Sequence, residues 1–202
     1  MTTITGERIP WAIAIDAAEA ALIELVPYCQ RIEVAGSLRR RRPEVKDIEL
    51  VAIPKMALRP NEQPDLFEPL VGTHIDLLSE YLLRELSPLL ALPKWALRPS
   101  KVGTTTFGPL NKLLLYKTPK RVIPLDLFTA TRANWGRDMW VRTGPAAWNQ
   151  ETATRALRMD MKFHAYGPAA FTRDGLPVTC ATEEEFAAVL GIPCTPPEQR
   201  LP

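Results

Sequence analysis

The spacing of apolar residues along the chain predicts a mixture of helices and strands. Two segments, residues 11–26 and 75–90, carry apolar residues at helical spacing, and each predicts an amphipathic helix. Thr73 is the predicted N-cap of the second helix. Residues 55–72 contain four prolines or glycines, which predicts a loop. β-Branched and apolar runs predict four strands, at residues 31–35, 47–53, 113–116 and 121–129.

The last third of the chain has a different pattern. Gly144-Pro145 places a proline at a helix start, and that helix is predicted to continue to about Met161. Two short extended segments follow, and then a short helix that begins with a capping box at Thr182. The pattern therefore predicts an α+β fold with two subdomains, whose boundary lies near residues 135–144.

Composition narrows the class of protein. The chain has 202 residues, of which 46% are apolar and 24% are charged, as is typical of a globular protein with one or two domains. The three cysteines lie far apart without a CxxC pair, which excludes a thiolate zinc site and predicts a reducing compartment. The most apolar early stretch carries three acidic residues, so it predicts neither a signal peptide nor a membrane span.

The net charge is small, but the charged residues are unevenly distributed along the chain. The net charge is 25 − 23 = +2, which excludes a protein held to nucleic acid by bulk charge. The basic segment, residues 94–142, has ten basic and two acidic residues, or +8, so the remainder carries −6. Four consecutive arginines, Arg39 to Arg42, lie upstream. Such a local excess of positive charge favours binding of a polyanionic ligand at one face of the protein. A charged surface that is merely solvated explains the basic segment equally well.

Three acidic residues, Asp47, Glu49 and Asp126, are candidates for binding a metal ion. Gly36-Ser37 follows the first predicted strand, and Asp47 and Glu49 open the second with their side chains on one face. Asp126 lies within another apolar strand, where an unpaired buried carboxylate is costly. A salt-bridged or solvent-exposed Asp126 is the simpler explanation for that residue alone. Together, the three predict oxygen ligands for hard divalent cations, as in phosphoryl transfer.

These motifs, in this order, resemble family X DNA polymerases of the nucleotidyltransferase superfamily. That family has Gly-Ser, an Arg-rich stretch and Asp-x-Asp, and later a lone Asp in a strand. The corresponding stretches here are Gly36-Ser37-Leu38-Arg39-Arg40-Arg41-Arg42, Asp47-Ile48-Glu49 and Asp126. Further resemblances to the family's Thr-Gly-Ser, Phe-Asn, Leu-Gly-Leu-Pro and Pro-Pro-Glu-x-Arg motifs lie at Thr143-Gly144-Pro145, Trp148-Asn149, Leu190-Gly191-Ile192-Pro193 and Pro196-Pro197-Glu198-Gln199-Arg200.

The resemblance implies a nucleotidyltransferase-type palm over residues 1–140, with a mixed sheet flanked by helices, and a small α+β thumb over residues 141–202. Neither a lyase domain nor a helix-hairpin-helix region is expected, as in small phage or viral members. Such an enzyme would add dNMP from a dNTP to a DNA primer 3′-hydroxyl, in short gap-filling or repair-type synthesis. Its partners would be a DNA primer and template. We expect a monomer in the cytoplasm, or in the host cytoplasm if a phage encodes it.

The resemblance also assigns roles to individual residues. Asp47, Glu49 and Asp126 would be the catalytic carboxylates and the ligands of two Mg²⁺ or Mn²⁺ ions. Six residues would hold the nucleotide: Gly36, Ser37 and Arg40 at its phosphates, and Thr143, Gly144 and Asn149 at its sugar and base. The chain departs from the family at three places, because Glu49 replaces an aspartate, Val141-Arg142 replaces an aromatic pair, and Ala153 replaces an arginine that would contact the template minor groove.

Two other functions stay open. A related nucleotidyltransferase would modify a protein, an RNA or a small molecule, although the motifs near the C-terminus favour a polymerase. A catalytically weak DNA-binding module is the other alternative, if Glu49 fails to bind metal. Neither templated nor untemplated addition is favoured by the sequence.

Overall fold

A mixed sheet with helices packed on it forms most of the molecule. The computed structural model describes residues 7–60, 72–87, 93–100 and 102–200. Within these ranges the elements up to residue 129 are β1 (Ile9–Pro10), α1 (Trp11–Leu25), β2 (Cys29–Val34), α2 (Gly36–Arg39), β3 (Glu44–Val45), β4 (Ile48–Pro54), β5 (Met56–Pro60), β6 (Gly72–Asp76), α3 (Leu77–Glu85), β7 (Trp95–Leu97), β8 (Asn111–Lys117) and β9 (Val122–Thr129). The later elements are α4 (Trp135–Thr143), α5 (Ala146–Arg158), β10 (Met161–Phe163), β11 (Phe171–Arg173), β12 (Leu176–Val178) and α6 (Glu183–Val189).

The central sheet has five strands in the order β2-β4-β9-β8-β7. β4 and β9 are parallel, whereas the other neighbouring pairs are antiparallel. Because side chains alternate along a strand, each strand presents one face to the helices and one away from them. Ile48, Leu50, Leu125 and Leu127 point to α1 and α3 and are fully buried in the main core. Glu49 and Asp126, at the intervening positions, point to the other face.

Most of the predicted elements are confirmed, with small shifts at their ends. α1 coincides with the predicted helix, and its buried face is made largely of alanines. These small side chains let the helix lie close to the sheet. The four predicted strands correspond to β2, β4, β8 and β9. Each lies where a local apolar run is long enough to cross the core.

Two predictions near residue 73 are wrong. Met56–Pro60 is a strand and not a loop, because it pairs antiparallel with β6, and residues 61–71 of the predicted loop lie outside the described residues. Thr73 therefore lies within β6, and the N-cap of α3 is Asp76, whose Oδ1 accepts from Leu78 N (2.9 Å) and Ser79 N (3.1 Å). α3 ends at Glu85, well before the predicted end, and residues 88–90 of that prediction lie outside the described residues.

The C-terminal part has its own core. β10, β11 and β12 form a small antiparallel sheet, and its residues pack with Trp140, Phe186 and Leu190. α4 connects the two parts, because Trp135 and Met139 pack on the central sheet while Trp140 packs in the C-terminal core. Thr182 caps α6 as predicted, with its Oγ1 accepting from Glu185 N (3.1 Å). The boundary between residues 140 and 141 stays a prediction.

Candidate active site

The fold brings the three predicted carboxylates together on one face of the central sheet. Asp47 immediately precedes β4, and Glu49 is the second residue of that strand. Glu49 is also the direct partner of Asp126 in the parallel pairing of β4 with β9. Two segments far apart in sequence therefore place their acidic residues side by side. The strand periodicity alone predicted the common face of Asp47 and Glu49, but not this register.

Burial raises the pKa of all three carboxylates, and neighbouring carboxylates raise it further at Glu49 and Asp47. Burial, and then the charges of Asp47 and Asp126, raises the pKa of Glu49 to about 7. Burial and the charge of Asp126 raise the pKa of Asp47. Burial also raises the pKa of Asp126, against the opposing effect of Arg98. The cluster therefore carries negative charge that its surroundings stabilise poorly, and this favours binding of a cation.

Asp126 forms an ion pair with Arg98, a residue that the sequence analysis did not assign to the site. The alternative of a salt-bridged aspartate is therefore correct for this conformation. Arg98 follows β7, a strand that no local pattern predicted. Its contact with Asp126 depends on the pairing of β7 with β8 and of β8 with β9. No signal in the sequence near either residue indicates this pair.

Glu49 packs against Gly36, and this contact explains why residue 36 is a glycine. Gly36 has φ +64°, and a side chain there would overlap the carboxylate of Glu49. Among the described residues, no three acidic, histidine or cysteine side chains are arranged as ligands of one metal ion. The donor set nevertheless fits such an ion in its chemistry, because all three side chains are carboxylates and hard divalent cations prefer oxygen.

A cavity of about 780 Å³ adjoins Asp47. Four basic residues line it, Arg8, Arg40, Arg42 and Lys46, and we call them the cavity cations. Ser37, Glu44 and Pro145 also line the cavity. Ser37 and Arg40 were predicted phosphate ligands, whereas Arg8 and Lys46 were missed because each is an isolated basic residue in the sequence. Burial, followed by the charge of Arg42, lowers the pKa of Arg40. The cavity is therefore suited to an anion with several charges.

The four consecutive arginines do not share one role. Arg39 donates to Thr143 Oγ1 (2.7 Å) and to Glu183 Oε2 (2.6 Å), so it holds the C-terminal part. Arg40 donates to the backbone oxygen of Thr143 and also faces the cavity. Arg41 is largely exposed and lies 3.5 Å from Glu198. Of the four, Arg40 and Arg42 line the cavity, and the phosphate contacts expected of the run stay a prediction.

The predicted sugar and base contacts lie where α4 ends and α5 begins. A Cβ at Gly144 would lie 3.0 Å from Trp148 and 3.3 Å from Asn149, so a larger residue there would require these side chains to shift. Asn149 Nδ2 donates to Val141 O (2.8 Å). Asn149 Oδ1 is buried and has no hydrogen-bond partner in the described part of the chain. This free acceptor is consistent with a ligand contact at Asn149.

The basic segment does not form the basic surface that its composition suggested. Lys112 is fully buried, with its ammonium donating to Gly108 O (3.1 Å). Four of its basic residues form ion pairs with acidic side chains: Lys94 with Glu24, Arg98 with Asp126, Arg121 with Glu7, and Arg137 with Asp138. Arg142 stacks on Phe128, 3.6 Å from the ring centre. Most of the positive charge in residues 94–142 is therefore used within the fold.

Known proteins resemble this chain in two ways. Residues 139–201 match the DNA polymerase beta thumb family. The structure is similar to that of Leishmania infantum polymerase beta in a ternary P/T complex, with a TM-score of 0.63 and 19% identity over 98% of this chain and 78% of that chain. The chain resembles a minimal family X DNA polymerase. The predicted α+β fold, with a mixed sheet, flanking helices and a C-terminal thumb, is confirmed.

Among the curated proteins, no sequence matches this chain. No helix in the described ranges is both long and apolar enough to cross a membrane. At 19% identity, the likeness to polymerase beta establishes the fold and not the activity.

Proposed function

We propose that this protein is a DNA nucleotidyltransferase that adds dNMP from a dNTP to the 3′-hydroxyl of a DNA primer. The observation that carries the proposal is the position of the three carboxylates beside a cavity lined by four cations. Phosphoryl transfer needs both parts, because the attacking hydroxyl must lose a proton while the departing phosphates gain negative charge. The thumb match and the polymerase fold agree with this assignment.

The residues of the chain divide the reaction between them. The cavity cations and the Ser37 hydroxyl bind the triphosphate and orient it for in-line attack. Asp126 accepts the proton of the primer 3′-hydroxyl while the oxygen of that hydroxyl forms a bond to the α-phosphorus. The bond from that phosphorus to the bridging oxygen of the β-phosphate breaks, and pyrophosphate leaves. The backbone at Thr143-Gly144 and the side chain of Asn149 contact the sugar and base.

The carboxylates are the residues that would hold divalent cations. Asp47, Glu49 and Asp126 supply carboxylate oxygens, and we propose that they bind two ions, Mg²⁺ or Mn²⁺. When bound, such ions lower the pKa of the attacking hydroxyl and neutralise charge on the departing pyrophosphate. Without them, Arg98 is the cation in contact with Asp126.

The proposed substrate is a primer and template with a short gap, bound by a monomer whose palm spans residues 1–140 and whose thumb spans residues 141–202. α5 begins beside the cavity, because Pro145 lines the cavity and Asn149 lies one turn further along the helix. That position suits a helix that contacts the nascent base pair. Addition directed by the template is the outcome expected from such a contact.

Primer extension on gapped, recessed and single-stranded DNA tests this proposal. Each dNTP and rNTP is supplied separately, with Mg²⁺ or Mn²⁺, and Asp126→Asn serves as the inactive control. The expected result is addition of the complementary nucleotide on gapped DNA and none with the control. DNA binding without incorporation on any substrate would instead identify a DNA-binding module. Nucleotide transfer to protein, RNA or a small molecule in place of DNA would identify a different nucleotidyltransferase.

A further inference from the structure

Arg98 reaches the site from across the sheet. Its backbone N–H donates to Leu113 O (3.0 Å), just beyond the end of β7. Leu113 is the direct partner of Asp126 in the pairing of β8 with β9, and Asp126 is the partner of Glu49 in the next pair. Glu49, Asp126, Leu113 and Arg98 therefore form one row. The side chain of Arg98 must cross β8 to contact Asp126.

The contact is partly shielded from water and involves one carboxylate oxygen. Arg98 Nη2 donates to Asp126 Oδ1, and the two side chains are 26% and 16% exposed. Arg98 Nε is buried and has no hydrogen-bond partner in the described ranges. In the described part of the chain, Asp126 is therefore the side chain that this guanidinium contacts by a hydrogen bond and an ion pair.

Arg98 acts on more than one member of the acidic cluster. Its charge lowers the pKa of both Asp47 and Asp126, against the effect of their burial. Arg142 and Arg40 have the corresponding effect on Glu49. Arg98 thus supplies the nearest positive charge to Asp126 and a share of the countercharge for Asp47.

We propose that Arg98 is a positioning residue that holds the carboxylate of Asp126 and competes, as a resident countercharge, with the divalent cations that would bind there. This inference rests on the proposed function. Removing the guanidinium has two effects of opposite sign. Cation affinity rises, because a positive charge beside the ligands is lost. The rate of transfer falls, because Asp126 loses the contact that orients it.

Binding of Mn²⁺ in the absence of DNA and nucleotide, measured by electron paramagnetic resonance of free Mn²⁺, tests the first effect. The variants are Arg98→Gln, Arg98→Lys and the matched control Arg121→Gln, whose ion pair with Glu7 lies elsewhere and whose side chain is 24% exposed. We expect Arg98→Gln to bind Mn²⁺ about tenfold more tightly than wild type. Arg98→Lys and Arg121→Gln keep the wild-type affinity.

Single-nucleotide insertion at saturating Mn²⁺ tests the second effect. We expect Arg98→Gln and Arg98→Lys to be slower by about 10- to 100-fold, since the ammonium of lysine keeps the charge but not the planar contact. A merely structural role predicts no rise in Mn²⁺ affinity, so the combination of tighter binding and slower transfer identifies a positioning residue.

Different results overturn different statements. If wild type binds Mn²⁺ and Arg98→Gln binds it no more tightly than Arg121→Gln, the competition proposed for Arg98 is wrong while the metal site stands. If neither wild type nor Arg98→Gln binds Mn²⁺, the proposed metal site is wrong and the inference falls with it. Should Arg98→Gln fail to fold, a wild-type insertion rate in Arg98→Lys overturns the positioning role.

Discussion

The cavity cations and the cations of the basic segment carry the same charge but have different partners. Around the cavity, Arg8, Arg42 and Lys46 make no ion pair with a carboxylate in the described part of the chain. In the basic segment, Lys94 and Arg137 are each within 3 Å of an acidic side chain. The first group is available to an anionic ligand, whereas the second stabilises the fold.

From this difference we expect the number of accessible charges to determine ligand binding more than the total number of charges. Lys112 illustrates the point, since it adds one to the charge of the segment but is fully buried. A cation that already has a carboxylate partner gains little from a phosphate, because it must first lose that partner. The short stretch around Arg42 and Lys46 therefore predicts ligand binding better than the longer stretch with more basic residues.

The largest effect is expected at a pair of matched aspartates. Asp126 and Asp138 are both partly buried beside an arginine, and burial raises the pKa of each, to about 6 for Asp138. Asp126→Asn should lower nucleotide transfer by about 10²- to 10⁴-fold, because the proton acceptor is lost. Asp138→Asn should leave the rate of the folded protein unchanged within about threefold. Insertion kinetics on gapped DNA measure both, and equal losses would show that Asp126 has no special role.

The next effect concerns the contact between the two parts of the molecule. Glu183 lies 2.6 Å from Arg39 and 2.8 Å from the fully buried Arg200, and the second contact is an ion pair without hydrogen-bond geometry. Glu183→Gln should lower the free energy of unfolding by about 3–5 kcal/mol, since two shielded guanidinium groups lose their countercharge.

The matched control is Glu198→Gln, because its ion pair with Arg41 is longer and exposed. That substitution should change the free energy of unfolding by less than about 1 kcal/mol. Urea denaturation of both variants provides the comparison. Similar losses in the two would indicate that the buried contacts of Glu183 contribute no more than an exposed pair.

A smaller effect is expected for sugar selection. Val141 occupies a position where the resembling family has an aromatic side chain, and Arg142 stacks on Phe128. Val141→Tyr should therefore increase the preference for dNTP over rNTP by about 10- to 200-fold, the range expected for a small steric difference. Insertion efficiencies for both nucleotides in both proteins measure this. Strong rejection of rNTP by wild type, unchanged in the variant, would contradict a role for the side chain at position 141.

The smallest effect is expected in the salt dependence of DNA binding. Ten free cations in the basic segment would give a log-log slope of about −9, since each phosphate contact contributes roughly 0.9. In the described part of the basic segment, only Lys117, Lys120 and Arg132 have neither a carboxylate nor an aromatic partner and remain outside the core, so we expect this segment to contribute about −3 to the slope. Fluorescence anisotropy of duplex DNA over a range of NaCl concentrations gives the slope. A value near −9 would mean that the internal ion pairs open on DNA.

Local patterns were sufficient to predict the strands that carry the carboxylates. Asp47 and Glu49 could be placed on one face because a strand has a period of two. The hairpin of β5 and β6 could not be predicted, because Met56–Pro60 becomes a strand only through its partner. Arg98 was missed for the same reason, since its contact with Asp126 depends on two strand pairings. Residue type and spacing indicated the chemistry, while long-range pairing decided which charges are free.

The most direct test of the central claim compares one cavity cation with one cation of the basic segment. The measurement is the KM for the complementary dNTP in single-nucleotide insertion, with Arg42→Gln and Arg121→Gln at the same ionic strength. Arg42 lines the cavity, whereas Arg121 pairs with Glu7. The account predicts a KM about tenfold higher in Arg42→Gln, from the loss of one charge-assisted contact, and an unchanged KM in Arg121→Gln. An unchanged KM in Arg42→Gln, or an equal increase in both variants, would contradict it.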